Sequence, residues 1–173
     1  ASFTPAISDY GRYVAFVTRA GNIAEGDAGH TQKIVVRDTC LTVPQAESCA
    51  PKSSLISTPG SGNAHTPFIS GDGRFVSYVA DDGNAPGGAI RVFFGDTCVG
   101  ASASTTCAPR ISVIATSGPG KAGELAGGLS GFGAPVSLDG EAIALFSTGP
   151  VPGLKGNLNG VGDVLVGVTS AAP

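Results

Sequence analysis

PAISDYGRYVAF, Pro5 to Phe16, returns as PFISGDGRFVSY, Pro67 to Tyr78, and more loosely as APVSLDGEAIALF, Ala134 to Phe146. The serines shared by the three copies, Ser8, Ser70 and Ser137, stand 62 and 67 residues apart. The cysteines repeat more strictly: Cys40 to Cys98 and Cys49 to Cys107 both span 58 residues. Around them RDTC (Arg37 to Cys40) is answered by GDTC (Gly95 to Cys98), and SLIST (Ser54 to Thr58) by SVIAT (Ser112 to Thr116). Similarity sustained over such a period means that whole units of several secondary-structure elements are duplicated.

Each unit parses in the same order. A short segment ends in Ile-Ser or Val-Ser. A glycine-containing turn follows, Asp9-Tyr10-Gly11, Gly71-Asp72-Gly73 or Asp139-Gly140. Such a turn between apolar runs is a hairpin signal, because glycine accepts the positive φ that tight turns need. Apolar runs come next, Tyr13 to Val17, Phe75 to Val79 and Ala142 to Phe146; beyond a polar loop come Lys33 to Val36, Ile90 to Phe94 and Val164 to Val168. A fourth segment, Ser54 to Ser57 or Ser112 to Ala115, closes the first two units. These runs are rich in β-branched and aromatic residues and too short for helices, and no amphipathic helical pattern occurs. Four antiparallel strands per repeat, each unit too small to bury its own faces, predict the blades of a β-propeller. The expected fold is all-β: a propeller segment of about three four-stranded blades, the last incomplete. Blade one is expected over 1–58, blade two over 59–116, a Gly-rich linker or insertion over 117–133, and an incomplete blade three over 134–173.

The two stricter copies resemble the Ser-x-Asp-Gly-Arg-Tyr-Val-Ala-Phe motif of TolB-like, WD-repeat-like propellers. GNLNGVGDVLVGV (Gly156 to Val168) is similar to that family's loop and third strand. The resemblance covers nearly the whole chain and implies the fold. It implies little about function, because such relatives range from partner-binding periplasmic proteins to the non-catalytic domains of peptidases. The third copy departs from the pattern, with Glu141 in place of Arg and Val168 where Asp38 would stand.

Composition narrows the function classes. Of 173 residues only 13% are charged and 27 are glycine, which suits close-packed strands joined by many turns and not a disordered chain. A net charge of −3, with ten scattered basic residues, argues against a nucleic-acid partner. No apolar run approaches a membrane span. The sequence has no Met, so a processed form or a fragment is expected.

Four cysteines allow three connectivities. Only pairing within each unit, Cys40 with Cys49 and Cys98 with Cys107, uses the duplicated units identically. Each bridge would then staple the hairpin between third and fourth strands. Disulfides imply an oxidising compartment, extracellular or periplasmic. The competing four-cysteine zinc site lacks the close Cys-x-x-Cys pairs that zinc favours.

Candidate chemistry is sparse. Gly118-Pro119-Gly120-Lys121 is followed by Ala122 and no helix, so it is not a phosphate loop. His30 and His65 are the only histidines; both fall in expected polar loops, and no Gly-x-Ser-x-Gly elbow accompanies them. Asp27, Asn157, Asn159 and Asp163 offer the hard oxygen donors calcium prefers. Neither of their loops fits an EF-hand, and the same residues form turns by bonding their own backbone. Asp38 and Asp96 recur at the end of the expected third strand, and Arg12 and Arg74 after the turn, which points to a structural role such as bonding to the adjacent turn. No cofactor and no catalytic residue is expected. The reading is a secreted, non-enzymatic segment acting in structure or protein interaction, its partner either further blades of a longer chain or copies of itself. The alternatives are a module binding a peptide, protein or glycan, and the non-catalytic propeller of a hydrolase.

Overall fold

The computed structural model describes residues 1–24, 31–41, 49–57, 62–81, 90–99, 101, 106–117, 124–125, 133–147 and 163–168. The strands are β1 (Ser2–Ile7), β2 (Tyr13–Thr18), β3 (Lys33–Asp38), β4 (Lys52–Leu55), β5 (Asn63–Ile69), β6 (Phe75–Asp81), β7 (Ile90–Asp96), β8 (Arg110–Ser117), β9 (Glu124–Leu125), β10 (Ala142–Ser147) and β11 (Asp163–Val168). No helix occurs among the described residues. Three sheets form in chain order: β1-β2-β3-β4, β5-β6-β7-β8-β9 and β10-β11. All pairings are antiparallel except the two-residue match of β8 with β9. The architecture is all-β and resembles an incomplete propeller, as the repeat predicts.

The sheets stack because each is apolar on both faces. In β2 the odd residues Tyr13, Ala15 and Val17 are buried with Ile34, Val36 and Ile56 of their own sheet, against Ala64, Ile69, Val76, Tyr78, Ala80 and Phe93 of the second sheet. The second sheet turns its other face, Val79, Val92, Phe94 and Ala115, to Ala134 and Ile143, with Leu145 and Leu165 packed alongside. A strand buried on both sides has no polar face to alternate with, so its apolar residues run on. Two stacked ring pairs brace the second sheet, Tyr78 on Phe93 with centroids 4.8 Å apart and Phe75 on Phe94 at 6.0 Å.

Four expectations need correction. His65 lies in β5, half-buried, and not in a polar loop, because the strand begins at Asn63. The fourth strand of the first sheet is Lys52–Leu55, earlier than expected. Ile56 and Ser57 leave the ladder because both amides turn to the Ile34 carbonyl, at 2.9 and 3.4 Å, while Ile34 N–H donates to Ser57 Oγ at 3.1 Å. The stretch expected to be irregular after Ser117 contributes β9. In the third unit the described residues before Ser137, 133–136, form a bridge, Val136 to Ile143, where the first two units have inner strands.

Candidate functional site

Polar side chains concentrate at two repeated constructions, the turn after the inner strand and the hairpin end beside the disulfide. The turn explains the shared serine. Ser8 N–H donates to Tyr13 O at 2.9 Å, Tyr13 N–H donates to Ser8 Oγ at 3.0 Å, and Gly11 N–H donates to Ser8 O at 2.9 Å. Ser70 repeats all three bonds with Phe75 and Gly73, and Ser137 repeats them with Ala142 and Gly140. The chain reverses at Gly11, Gly73 and Gly140, with φ of +76°, +83° and +75°. In the second and third turns an aspartate adds an Asx bond: Asp72 Oδ1 accepts from Arg74 N–H at 2.9 Å, and Asp139 Oδ1 from Glu141 N–H at 3.0 Å. The first turn carries its aspartate one position early, so an exposed Tyr10 stands in the equivalent place.

The three turns meet. Asp9 N–H donates to Gly71 O at 3.1 Å, across two sheets. A side chain on Gly71 would collide with Leu138 and with the Asp9 carboxyl, so the residues after the three serines converge on one spot. A second contact joins neighbouring sheets. A Cβ on Gly73 would enter the Tyr13 ring, and one on Gly140 would enter the Phe75 ring. The aromatic residues five positions after Ser8 and Ser70, Tyr13 and Phe75, therefore pack against the turn glycine of the following sheet. Arg12 and Arg74 cover the rings, their guanidinium carbons 4.9 and 5.3 Å from the centroids. This arginine–ring–glycine latch is directional, each sheet offering the ring forward.

The hairpin end is equally regular. Arg12 donates Nε to Asp38 Oδ1 at 3.0 Å and an Nη to Oδ2 at 2.9 Å. Asp38 Oδ1 also accepts Cys40 N–H at 2.9 Å, Thr39 Oγ1 donates to Arg12 O at 2.8 Å, and Cys40 takes φ +58°. In the second sheet Arg74 donates to Asp96 Oδ2 at 2.9 and 2.6 Å, and Cys98 N–H and Thr97 Oγ1 repeat their roles. Cys98 also has φ +58°. Cys40 is bonded to Cys49 and Cys98 to Cys107, the pairing expected from the repeat. The clusters Asp38–Cys40–Cys49 and Asp96–Cys98–Cys107 have metal-like spacing, but their sulfurs are joined to each other and their carboxylates to arginine.

Burial works to raise the Asp38 carboxyl, but the hydrogen bonds from Arg12 and Cys40 outweigh it and hold it below its ordinary value. Asp96 is held low in the same way by Arg74 and Cys98. A carboxyl that is low when folded takes its proton more readily when unfolded. Both pairs therefore stabilise the fold above the ordinary carboxylate range, and lose that contribution as pH falls through the folded-state values. The melting temperature is expected to drop below about pH 4, and the Asp38→Asn/Asp96→Asn variant to lose part of that drop. Asp139, lowered by the Ser137 hydroxyl and Glu141 N–H, keeps the rest. An unchanged acid profile in the double variant would show that the pairs contribute nothing.

The other candidates do not assemble. Asp27, Asn157, Asn159, His30 and the Gly118–Lys121 stretch lie outside the described residues. Asp163 opens β11, where its backbone pairs with Ser147. His65 Nδ1 lies 2.9 Å from Thr66 Oγ1, and burial holds the imidazole below its ordinary value against the pull of Asp81. Between the hairpin ends of the first two sheets runs a shallow groove in two parts, of about 280 and 320 Å³, which share Ser54 and Thr97. Small-molecule sites run to roughly 300–1,000 Å³, so the first part falls just short of that range and the second only enters it. The one carboxylate in its lining, Asp38, already binds Arg12.

No family model matches the chain, and no curated protein does. TolB from Acinetobacter baumannii is a solved structure it resembles. That likeness has a TM-score of 0.33 and 15% identity over 97% of this chain, which spans 41% of the TolB chain.

Two features of the site escaped the sequence reading. The ring–glycine contact was present as GRY and GRF, but its partner glycine lies one repeat later. The segments before the three serines also share a left-handed residue four positions ahead of each, Thr4 (φ +45°), Thr66 (+50°) and Gly133 (+79°). Nothing in TPAIS and TPFIS announces a left-handed threonine.

Proposed function

We propose that this chain is a non-enzymatic stack of propeller-like sheets, acting in an oxidising compartment through its sheet faces, in structure or protein interaction. The observation that carries this reading is the apolar surface at the two ends of the stack. Ile7 of the first sheet is 63% exposed, and Val164 and Val166 of the third are each 71% exposed. Sheet residues of this kind are covered at both internal junctions, and apolar surface left in the open marks an interface. The polar residues that repeat are spent on the fold: Arg12, Asp38, Arg74 and Asp96 hold hairpin ends, and the cysteines are bridged. The two disulfides support an extracellular or periplasmic setting.

At submicromolar concentration the folded chain is expected to bind an apolar-surface dye, and Ile7→Asp/Val166→Asp is expected to remove most of that signal. No dye signal in the native chain would remove the basis of the reading. Ester, glycoside or peptide turnover that disappears in His65→Ala would overturn its non-enzymatic part.

A further inference from the structure

We propose that a second copy of this chain docks head to tail, its third sheet seated on the outward face of the first sheet. This rests on the interaction reading above and names the partner.

The chain makes the same junction twice within itself. At each one a sheet presents the residues five, seven and nine after its serine: Tyr13, Ala15 and Val17, or Phe75, Ser77 and Val79. The following sheet receives them on the opposite strand parity, with Val76, Tyr78 and Ala80, or Ile143 and Leu145. The third sheet presents the equivalent set, Ala142, Ala144 and Phe146, and Val166 and Val164, cross-strand partners of Ala144 and Phe146, lie on the same face. The first sheet offers the receiving parity at Ile7, 63% exposed, beside the partly buried Val14 and Phe16; across from them in β3 stand Arg37 and Val35, the latter already fully buried. The exposed valines and Ile7 are therefore the two halves of a junction the fold already builds.

Two details separate this outer junction from the inner ones. The arginine–aspartate pair that edges the presenting face is replaced in the sequence by Glu141 and Val168, so no such ion pair recurs there. Gly11, which would receive the ring, is open: only Ile7 Cδ1 at 3.8 Å would meet a side chain there. The third sheet brings Ala142 to that place and not Tyr or Phe. The outer junction thus keeps its apolar contact but lacks the latch, which makes it weaker and reversible beside two permanent ones. A face that fits a different face is heterologous, so pairing either closes or propagates. Two copies supply six sheets, within the range of about four to eight that closed radial stacks use.

Sedimentation of the full, disulfide-intact chain tests this. The native chain is expected to pass from 17.0 kDa to twice that mass with rising concentration. Ala142→Phe restores the ring over Gly11 and is expected to shift the transition to about tenfold lower concentration or more. Val166→Asp on one face and Ile7→Asp on the other are each expected to hold the chain monomeric with an unchanged circular dichroism spectrum. If Val166→Asp fails to fold, Ile7→Asp alone still tests the junction. A native chain monomeric through the high micromolar range overturns the proposal, even if Ala142→Phe associates. So does association that Ile7→Asp leaves intact. A monomer that still binds the apolar dye would sink self-docking alone and leave the faces for a different protein.

Discussion

Gly73→Val is expected to destabilise the chain by about 3 kcal/mol, the sum of about 1–2 for forcing a β-branched residue to positive φ and about 1–2 for overpacking. For a chain of this size that is roughly a 6–12 °C fall in melting temperature. Both terms come from one position: φ is +83°, and the new Cβ would enter the Tyr13 ring. Gly11→Val separates them. Gly11 has φ +76° but no ring above it, so only the conformational part, about 1–2 kcal/mol, is expected there. The difference between the two variants reads the latch between the first and second sheets. Equal losses at Gly11 and Gly73 would mean that the ring contact adds nothing. The Tyr13→Ala/Gly73→Val pair checks this further, because removing the ring makes room and should return part of the overpacking loss.

Removing either disulfide, as Cys40→Ser/Cys49→Ser or Cys98→Ser/Cys107→Ser, is expected to cost about 2.5–3 kcal/mol, because each closes a short loop of the unfolded chain. Both bridges have a sequence separation of 9, so loop closure alone predicts equal losses. The ladders they secure are not equal. The β3–β4 ladder holds four residue pairs, whereas β7–β8 holds six and β8 gains β9 beyond it. Loss of Cys40–Cys49 should therefore free β4 locally, with fast amide exchange over Lys52–Leu55, while β8 stays protected without Cys98–Cys107. Chemical denaturation measures the global cost and hydrogen exchange the local one. A β4 that remains protected without its bridge would show that the Ile34 carbonyl and Ser57 hydroxyl hold it unaided. A Cys40–Cys98 peptide under non-reducing digestion would contradict the pairing itself.

The sequence by itself determined what is local or duplicated. Ser8, Ser70 and Ser137 mark the turns because a turn is decided within five residues, by one hydroxyl and one glycine. The apolar runs of β6 and β7 are unbroken because both their faces are covered, so burial on two sides was readable in one strand. The disulfide pairing followed from the 58-residue spacing alone, because duplication carries a solved hairpin with it. The tertiary structure decided the rest. His65 reads as a loop residue among Gly62, Asn63 and Thr66, yet the pairing of β5 with β6 draws it into a strand. Arg12 and Asp38 each recur in the sequence, but only the β2–β3 pairing, which sets Tyr13 opposite Asp38, brings the neighbouring Arg12 within reach of that carboxylate. Tyr13 and Gly73 stand in different repeats, and no local pattern links a ring to a glycine in the next sheet. Stacking links them, through contacts between residues far apart in the chain, which leave no period within a single strand.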